Sequence, residues 1–201
     1  EVGLATGWTD ADQQLHIPQT ALQSYNELAW ATDTNEAVEI SNHSDFNFTT
    51  GSADQAFSIS AWCMQAEDDS LFIFIQGGYG ASIHQWEYSL YINSDQKIIL
   101  SLHDGPTADG GARNDNTNYL NWITDSAVAD KGEWFHVVTT YTGSKASGNG
   151  KIYINGSSVD VTYTETGTYQ YMTNQGFSAM MFRKGTSGSY TGPGSLTEVS
   201  V

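Results

Sequence analysis

From Phe57 onward, apolar and polar positions alternate along much of the chain. In Phe57-Ser58-Ile59-Ser60-Ala61-Trp62-Cys63, Phe57, Ile59, Ala61 and Cys63 fall on one side and Ser58, Ser60 and Trp62 on the other. That two-residue period marks a strand with one buried face. Large aromatic side chains are mostly buried in folded proteins, so Trp62 is expected under a covering loop. Leu71–Ile75 is an unbroken apolar run, which reads as a strand buried on both faces, and Gly77-Gly78-Tyr79-Gly80 is expected to end it. Glu87–Ile92 is the next strand, with Tyr88, Leu90 and Ile92 on one face. The same alternation puts Trp86 on that face too. Asn93-Ser94-Asp95 turns the chain into Lys97–Leu102, and Tyr119–Ile123 follows a long polar stretch.

Two further alternating runs, Trp134–Tyr141 and Lys151–Val159, are rich in β-branched and aromatic residues, which pack well on a pleated surface. The second contains Asn155-Gly156, a pair that tolerates the positive φ angles of a tight hairpin turn. The unit predicted is strand, loop, strand, turn, strand, all antiparallel. Tyr163–Tyr171 reads as a loop with a short strand, and Phe177–Phe182 and Ser195–Val201 as strands. The fold class expected is all-β: a two-sheet antiparallel sandwich with Leu28, Trp30, Val38, Ile40, Phe57, Ile59, Ala61, Leu90, Ile92, Val138 and Ile152 in its core.

At 201 residues the chain is long enough to bury a substantial core. Residues 1–25 lack this alternation; Pro18–Tyr25 suits one or two helical turns. They are expected to be an extension, a linker or a subunit contact, ahead of a domain over 26–201. The net charge is −16, from 23 acidic and 7 basic residues. Such a balance disfavours polyanionic partners, so neither nucleic acid nor an anionic membrane surface is expected. No apolar run approaches the roughly 18 residues of a membrane span. The single cysteine, Cys63, cannot form an intrachain disulfide and reads as a small core residue.

Several runs together resemble a known family. Gly132-Glu133-Trp134-Phe135-His136-Val137-Val138, then Thr140-Tyr141-Thr142-Gly143, then Ile152-Tyr153-Ile154-Asn155-Gly156 are similar to the core motif of laminin-G-like, concanavalin-A-like jelly rolls. Asn26–Trp30 with Glu36–Ile40, Phe57–Cys63 and Ser195–Val201 resemble that family's opening, second and closing strands, so the resemblance spans about 26–201. It implies a jelly-roll sandwich and a buried Trp134, at the family's packed tryptophan. It also implies a carbohydrate- or surface-binding module, secreted or surface-exposed. The alternative is a structural or adhesive subunit, such as a virion decoration, tail-fibre or filament domain, that binds other subunits through residues 1–25.

Enzymes of this fold carry recognisable motifs, and this chain lacks them. Retaining glucanases use E-x-D-x-x-E on one strand to set an acid and a nucleophile on one face. Here Glu67-Asp68-Asp69 are adjacent, so as a strand they would face opposite ways. No G-x-S-x-G or phosphate loop occurs, and the five histidines have no metal spacing. Catalysis is therefore not expected. Asp104, Asp109 and Asp115 supply hard oxygen ligands for calcium. However, Ala31-Thr32 and Thr197 stand where relatives often carry acids that help hold the metal. Sugar recognition needs aromatic faces and planar polar groups. Tyr79, His84, Trp86, Arg113, Asn116, Tyr119, Trp122 and Tyr190 lie in or beside Gly- and Asn-rich segments and are the candidates for a glycan or surface polysaccharide. Trp86 and Trp122 either line that site or point inward.

Overall fold

The computed structural model describes residues 8–9, 14–15, 30–32, 38–68, 70–80, 83–104, 118–128, 130–174, 176–181 and 194–201. The chain divides into two compact units, Glu1–Trp30 and Ala31–Val201. In the first, β1 (Trp8–Thr9) pairs antiparallel with β2 (Gln14–Leu15). The expected helical turns at 18–25, and Leu28, lie outside the described residues.

The second unit is an antiparallel β-sandwich. Its strands are β3 (Trp30–Thr32, entering from the first unit), β4 (Val38–Ile40), β5 (Phe57–Gln65), β6 (Leu71–Gly80), β7 (Ile83–Ile92), β8 (Ile98–His103), β9 (Tyr119–Thr124), β10 (Phe135–Tyr141), β11 (Gly150–Ile154), β12 (Ser157–Val159), β13 (Val161–Thr166), β14 (Ala179–Met181) and β15 (Gly194–Ser200). One sheet has the order β12-β11-β10-β5-β15-β3, the other β13-β9-β8-β7-β6-β14-β4. Neighbours that are distant in sequence, such as β5 beside β10 and β15, give a jelly-roll path rather than a meander. The hairpin between β11 and β12 turns at Asn155 (φ 49°) and Gly156 (φ 82°), as that dipeptide predicts.

The core lies between the sheets. Ile59, Ala61, Cys63, Val137 and Ile152 from the six-stranded sheet meet Tyr88, Leu90, Ile92, Leu100, Leu102, Leu120 and Trp122 from the seven-stranded one, all with no exposure. Rings bridge the layers: Phe57 to Tyr88 at 4.8 Å and Tyr141 to Trp122 at 5.5 Å. Val38 and Ile40 pack half-buried against this cluster. Burial pushes the Cys63 thiol far up, which makes it an inert core side chain.

Four expectations need correction. Val138 is half-buried while Val137 is fully buried. Phe-His-Val-Val-Thr-Thr-Tyr has an apolar valine on both faces, and the pairing of Val137 with Ala61 chooses the face. Trp62 is 38% exposed rather than covered, and Trp134, just ahead of β10, is 37% exposed rather than packed. By alternation Trp134 shares the outward side of His136, and Phe135 takes the inward place. Gly77–Gly80 do not end β6, which pairs with β7 as far as Gly80–Ile83. Gly77, at φ 144°, sits beside a register shift that a residue with a side chain would strain to make.

A network at the edge of the core fixes the stretch after β13. The Asp54 carboxylate accepts hydrogen bonds from Tyr141 Oη (2.7 Å), Tyr169 Oη (2.7 Å) and the Met172 amide (2.6 Å). Farther along, Asn118 Oδ1 accepts from the Thr168 amide and Asp104 Oδ2 from the Gln170 amide. This stretch is thereby held beside the ends of β8 and β9.

Candidate functional site

The outer face of the seven-stranded sheet is not an ordinary solvent face. Register shifts in the β6–β7 pair decide its make-up. Gln76 pairs with Tyr88 and Gly77 with Trp86, so Glu87 is the extra residue of a bulge. A bulge inserts one residue and reverses the facing of everything beyond it. Trp86 therefore points outward, away from Tyr88, Leu90 and Ile92, which corrects the simple alternation. The Trp86 ring stands edge-on to Phe72 (5.7 Å, 70°) and to His103 (5.3 Å, 88°). Phe72 stacks on Tyr91 at 4.9 Å, and His103 packs against Tyr119 at 5.9 Å.

Across the middle of this aromatic group runs a polar row. The pairings Ser89–Ser101 and Ser101–Asn121 place three small polar side chains side by side on β7, β8 and β9. Ser101 Oγ donates to Asn121 Oδ1 at 2.6 Å and is 2.9 Å from His103 Nε2. With its proton given to Asn121, Ser101 accepts from His103 Nε2–H, so the chain of bonds runs His103 to Ser101 to Asn121. Two groups remain over. Ser89 Oγ is fully buried and has no hydrogen-bond partner. The Asn121 amide nitrogen, on a half-buried side chain, makes no hydrogen bond to a described residue. A buried hydroxyl without a partner costs about 1–3 kcal/mol.

The electrostatics of this face come from burial. His103 is 5% exposed, and desolvation pulls its pKa down to about 3. The ring is therefore neutral and is a poor proton acceptor near neutrality. Tyr91 is pushed up to about 12 by burial first and by the nearby Tyr119 phenol second. The Tyr91 phenol thus stays protonated and able to donate.

Of the candidates read from sequence, this face gathers Trp86 and Tyr119. Trp122 does not join them. It is fully buried on the inner face, with its indole N–H donating to Ser147 O at 3.0 Å and its ring against Tyr141 and Tyr163. A Cβ on Gly150 would overlap the Trp122 ring. Trp122 is thus a core residue and cannot stack on a ligand. Tyr79 and His84 are register partners in the β6–β7 ladder, not loop residues. Arg113, Asn116 and Tyr190 lie outside the described residues. So do Asp109 and Asp115. Asp104 is 6% exposed, with one carboxylate oxygen bonded to the Gln170 amide. Among the described residues, no group of three or more His, Cys, Asp or Glu could hold a metal, and calcium needs six to eight oxygens. Asp104 on its own does not fit that demand.

Sequence reading missed Phe72, Ser89, Tyr91, Ser101, His103 and Asn121. The signal lay in the outward positions of the apolar runs: Ser89, Ser101 and Asn121 interrupt hydrophobic strands at the face left over once the core face is assigned.

The sandwich topology is that of a jelly roll, and the family model agrees. The chain belongs to the Laminin_G_3 family of the concanavalin A-like lectin/glucanases superfamily, whose model matches residues 32–201. No curated protein matches the chain. Among solved structures, it is similar to the Ruminococcus gnavus IT-sialidase CBM40 bound to alpha2,3 sialyllactose, at 14% identity, covering 85% of this chain and 90% of that one with a TM-score of 0.47. It is similar to the heptameric SAP-like pentraxin of Limulus polyphemus at 13% identity, covering 85% and 77%, TM-score 0.43. It is also similar to the Trypanosoma rangeli sialidase at 14% identity, covering 72% of this chain and 20% of that one, TM-score 0.43. These likenesses concern the fold alone.

Proposed function

We propose that this domain is a non-catalytic carbohydrate-binding module of a secreted or surface-exposed protein, and that the outer face of the seven-stranded sheet receives the sugar. One observation carries the reading: half-buried Trp86, Tyr119 and Asn121 share an outward face beside the polar row, and the Asn121 amide nitrogen makes no hydrogen bond to a described residue. A pyranose offers both matching features, an apolar C–H face for Trp86 or Tyr119 and a hydroxyl for the Asn121 amide. The lectin/glucanase family supports the same reading. His103 positions the row and does not act as a base, since its proton affinity is far too low for that at neutral pH.

The double substitution Tyr119→Ala with Asn121→Ala tests this. Both side chains are half-buried, so the fold should survive. Retention in affinity gels containing dissolved polysaccharides, or on a glycan array, should fall at least about tenfold, the loss of roughly one good polar or stacking contact. Unchanged retention of a folded variant would remove the site from this face.

A further inference from the structure

The opposite side of the sandwich carries a second aromatic group. Trp62 and Trp134, at 38% and 37% exposed, are the exposed tryptophans among the described residues. Trp62 and His136 are register partners on β5 and β10, with their rings 5.2 Å apart and tilted 34°. The imidazole is held by one side-chain hydrogen bond, and the strand that carries it by a main-chain one. Its Nε2 shares a 2.9 Å hydrogen bond with Ser60 Oγ, and the His136 amide donates to Asn155 Oδ1 at 2.9 Å. A fixed imidazole gives the indole a firm support, so the Trp62 ring is presented to solvent in a defined place. Trp134 precedes His136 by two residues and lies diagonally from Trp62. Tyr153, paired with Val138 on β11, continues the group one strand farther. From Trp62 to Tyr153 is two strand spacings across and two residues along, roughly 12 Å.

The charge pattern narrows the partner. The chain carries −16, yet no Asp or Glu occupies an outward position of β5, β10 or β11. Lys151 is the one charged residue there, with Glu133 exposed next to Trp134 and Glu198 exposed on the adjoining β15. A charged macromolecule would find little to pair with on the three central strands, and a polyanion would be repelled by the bordering acids and the rest of the molecule. An uncharged chain with apolar faces and many hydroxyls matches it: rings to stack on, flanked by hydroxyls and an imidazole.

We propose that the outer face of the six-stranded sheet is a second ligand site, for an uncharged polysaccharide laid across Trp62 and Tyr153 with Trp134 at its end. With a site on each outer face, one copy of the domain would grip two chains at once. This inference shares the carbohydrate reading above but stands on different residues, so the two fail separately.

The test uses native gels cast with dissolved galactomannan or mixed-linkage β-glucan. Protein carrying Tyr119→Ala and Asn121→Ala should still be retarded. Adding Trp62→Ala and Trp134→Ala should cut that retention at least about tenfold, as expected for losing stacked rings. Tyr153→Ala serves as a second variant should the tryptophan pair disturb folding, and Trp62→Phe should keep partial retention. The wild-type protein should also cross-link the polysaccharide and raise its viscosity, and either double variant should abolish that. The proposal is overturned if the Tyr119→Ala/Asn121→Ala protein migrates as in a gel without polysaccharide. It is equally overturned if Trp62→Ala with Trp134→Ala, or Tyr153→Ala, leaves retention unchanged.

Discussion

The two sheets turn similar alternating strands toward one core but finish their outer faces in opposite ways. On the seven-stranded sheet, Phe72, Ile75, Ser89, Ile99, Ser101 and His103 are nearly or wholly buried although they point away from the core. On the six-stranded sheet, Ser58 and Trp62 are exposed, and Ser60, His136 and Val138 are half-buried. The first face is a desolvated layer in which every polar group must be answered, and Ser89 is not. The second is wet, and its polar groups can turn to water. On the first face Trp86, Tyr119 and Asn121 are only half-buried, whereas on the second the indoles of Trp62 and Trp134 already stand exposed.

The largest expected effect separates core from face. Trp122→Ala should cost about 3–5 kcal/mol and lower Tm by roughly 10 °C, measured by thermal denaturation. An unchanged melting curve would show that Trp122 is not the packing centre described. Next comes pH. His103 is held near 3 in the folded protein against an ordinary value of 6.5. Between those values the unfolded chain binds more protons, so this contribution is complete above about pH 6.5 and is lost progressively as pH falls toward 3. His103→Gln should flatten the stability profile in that window, read from urea midpoints at successive pH values. An equal slope in the variant would assign the acid sensitivity elsewhere.

Two serines on the desolvated face should respond with opposite signs. Ser101→Ala strands His103 Nε2–H and should destabilise by about 1–3 kcal/mol. Ser89→Ala removes a hydroxyl with no partner, and should be neutral or stabilising by about 1 kcal/mol. A destabilised Ser89→Ala protein would mean that hydroxyl is bonded in solution. Small changes also belong to the wet face. Trp62→Ala and Trp134→Ala should each cost at most about 1–2 kcal/mol, because part of each ring is exposed already. A loss matching that of Trp122→Ala would show these rings to be packed in solution.

Local pattern determined a good deal by itself. The inward set Phe57, Ile59, Ala61 and Cys63, the doubly buried Leu71–Ile75, the Asn155-Gly156 turn and the closing strand all follow from a two-residue period or a turn dipeptide. Those signals act between neighbours in the chain, so they survive without knowing what packs where. Other features depended on pairing. Val137 displaced Val138 from the core because β10 aligns with β5. Trp86 left the face of Tyr88 because one extra residue, Glu87, bulges between β6 and β7. Trp122 proved to be core and Trp134 surface. The polar row of Ser89, Ser101 and Asn121 joins residues up to 32 positions apart that meet only through the register of three strands. Alternation fixes which residues share a face, but not which face is inside. That choice, and the juxtapositions it creates across strands, belonged to the tertiary structure, because only the packed sheets decide which side of each strand loses its water.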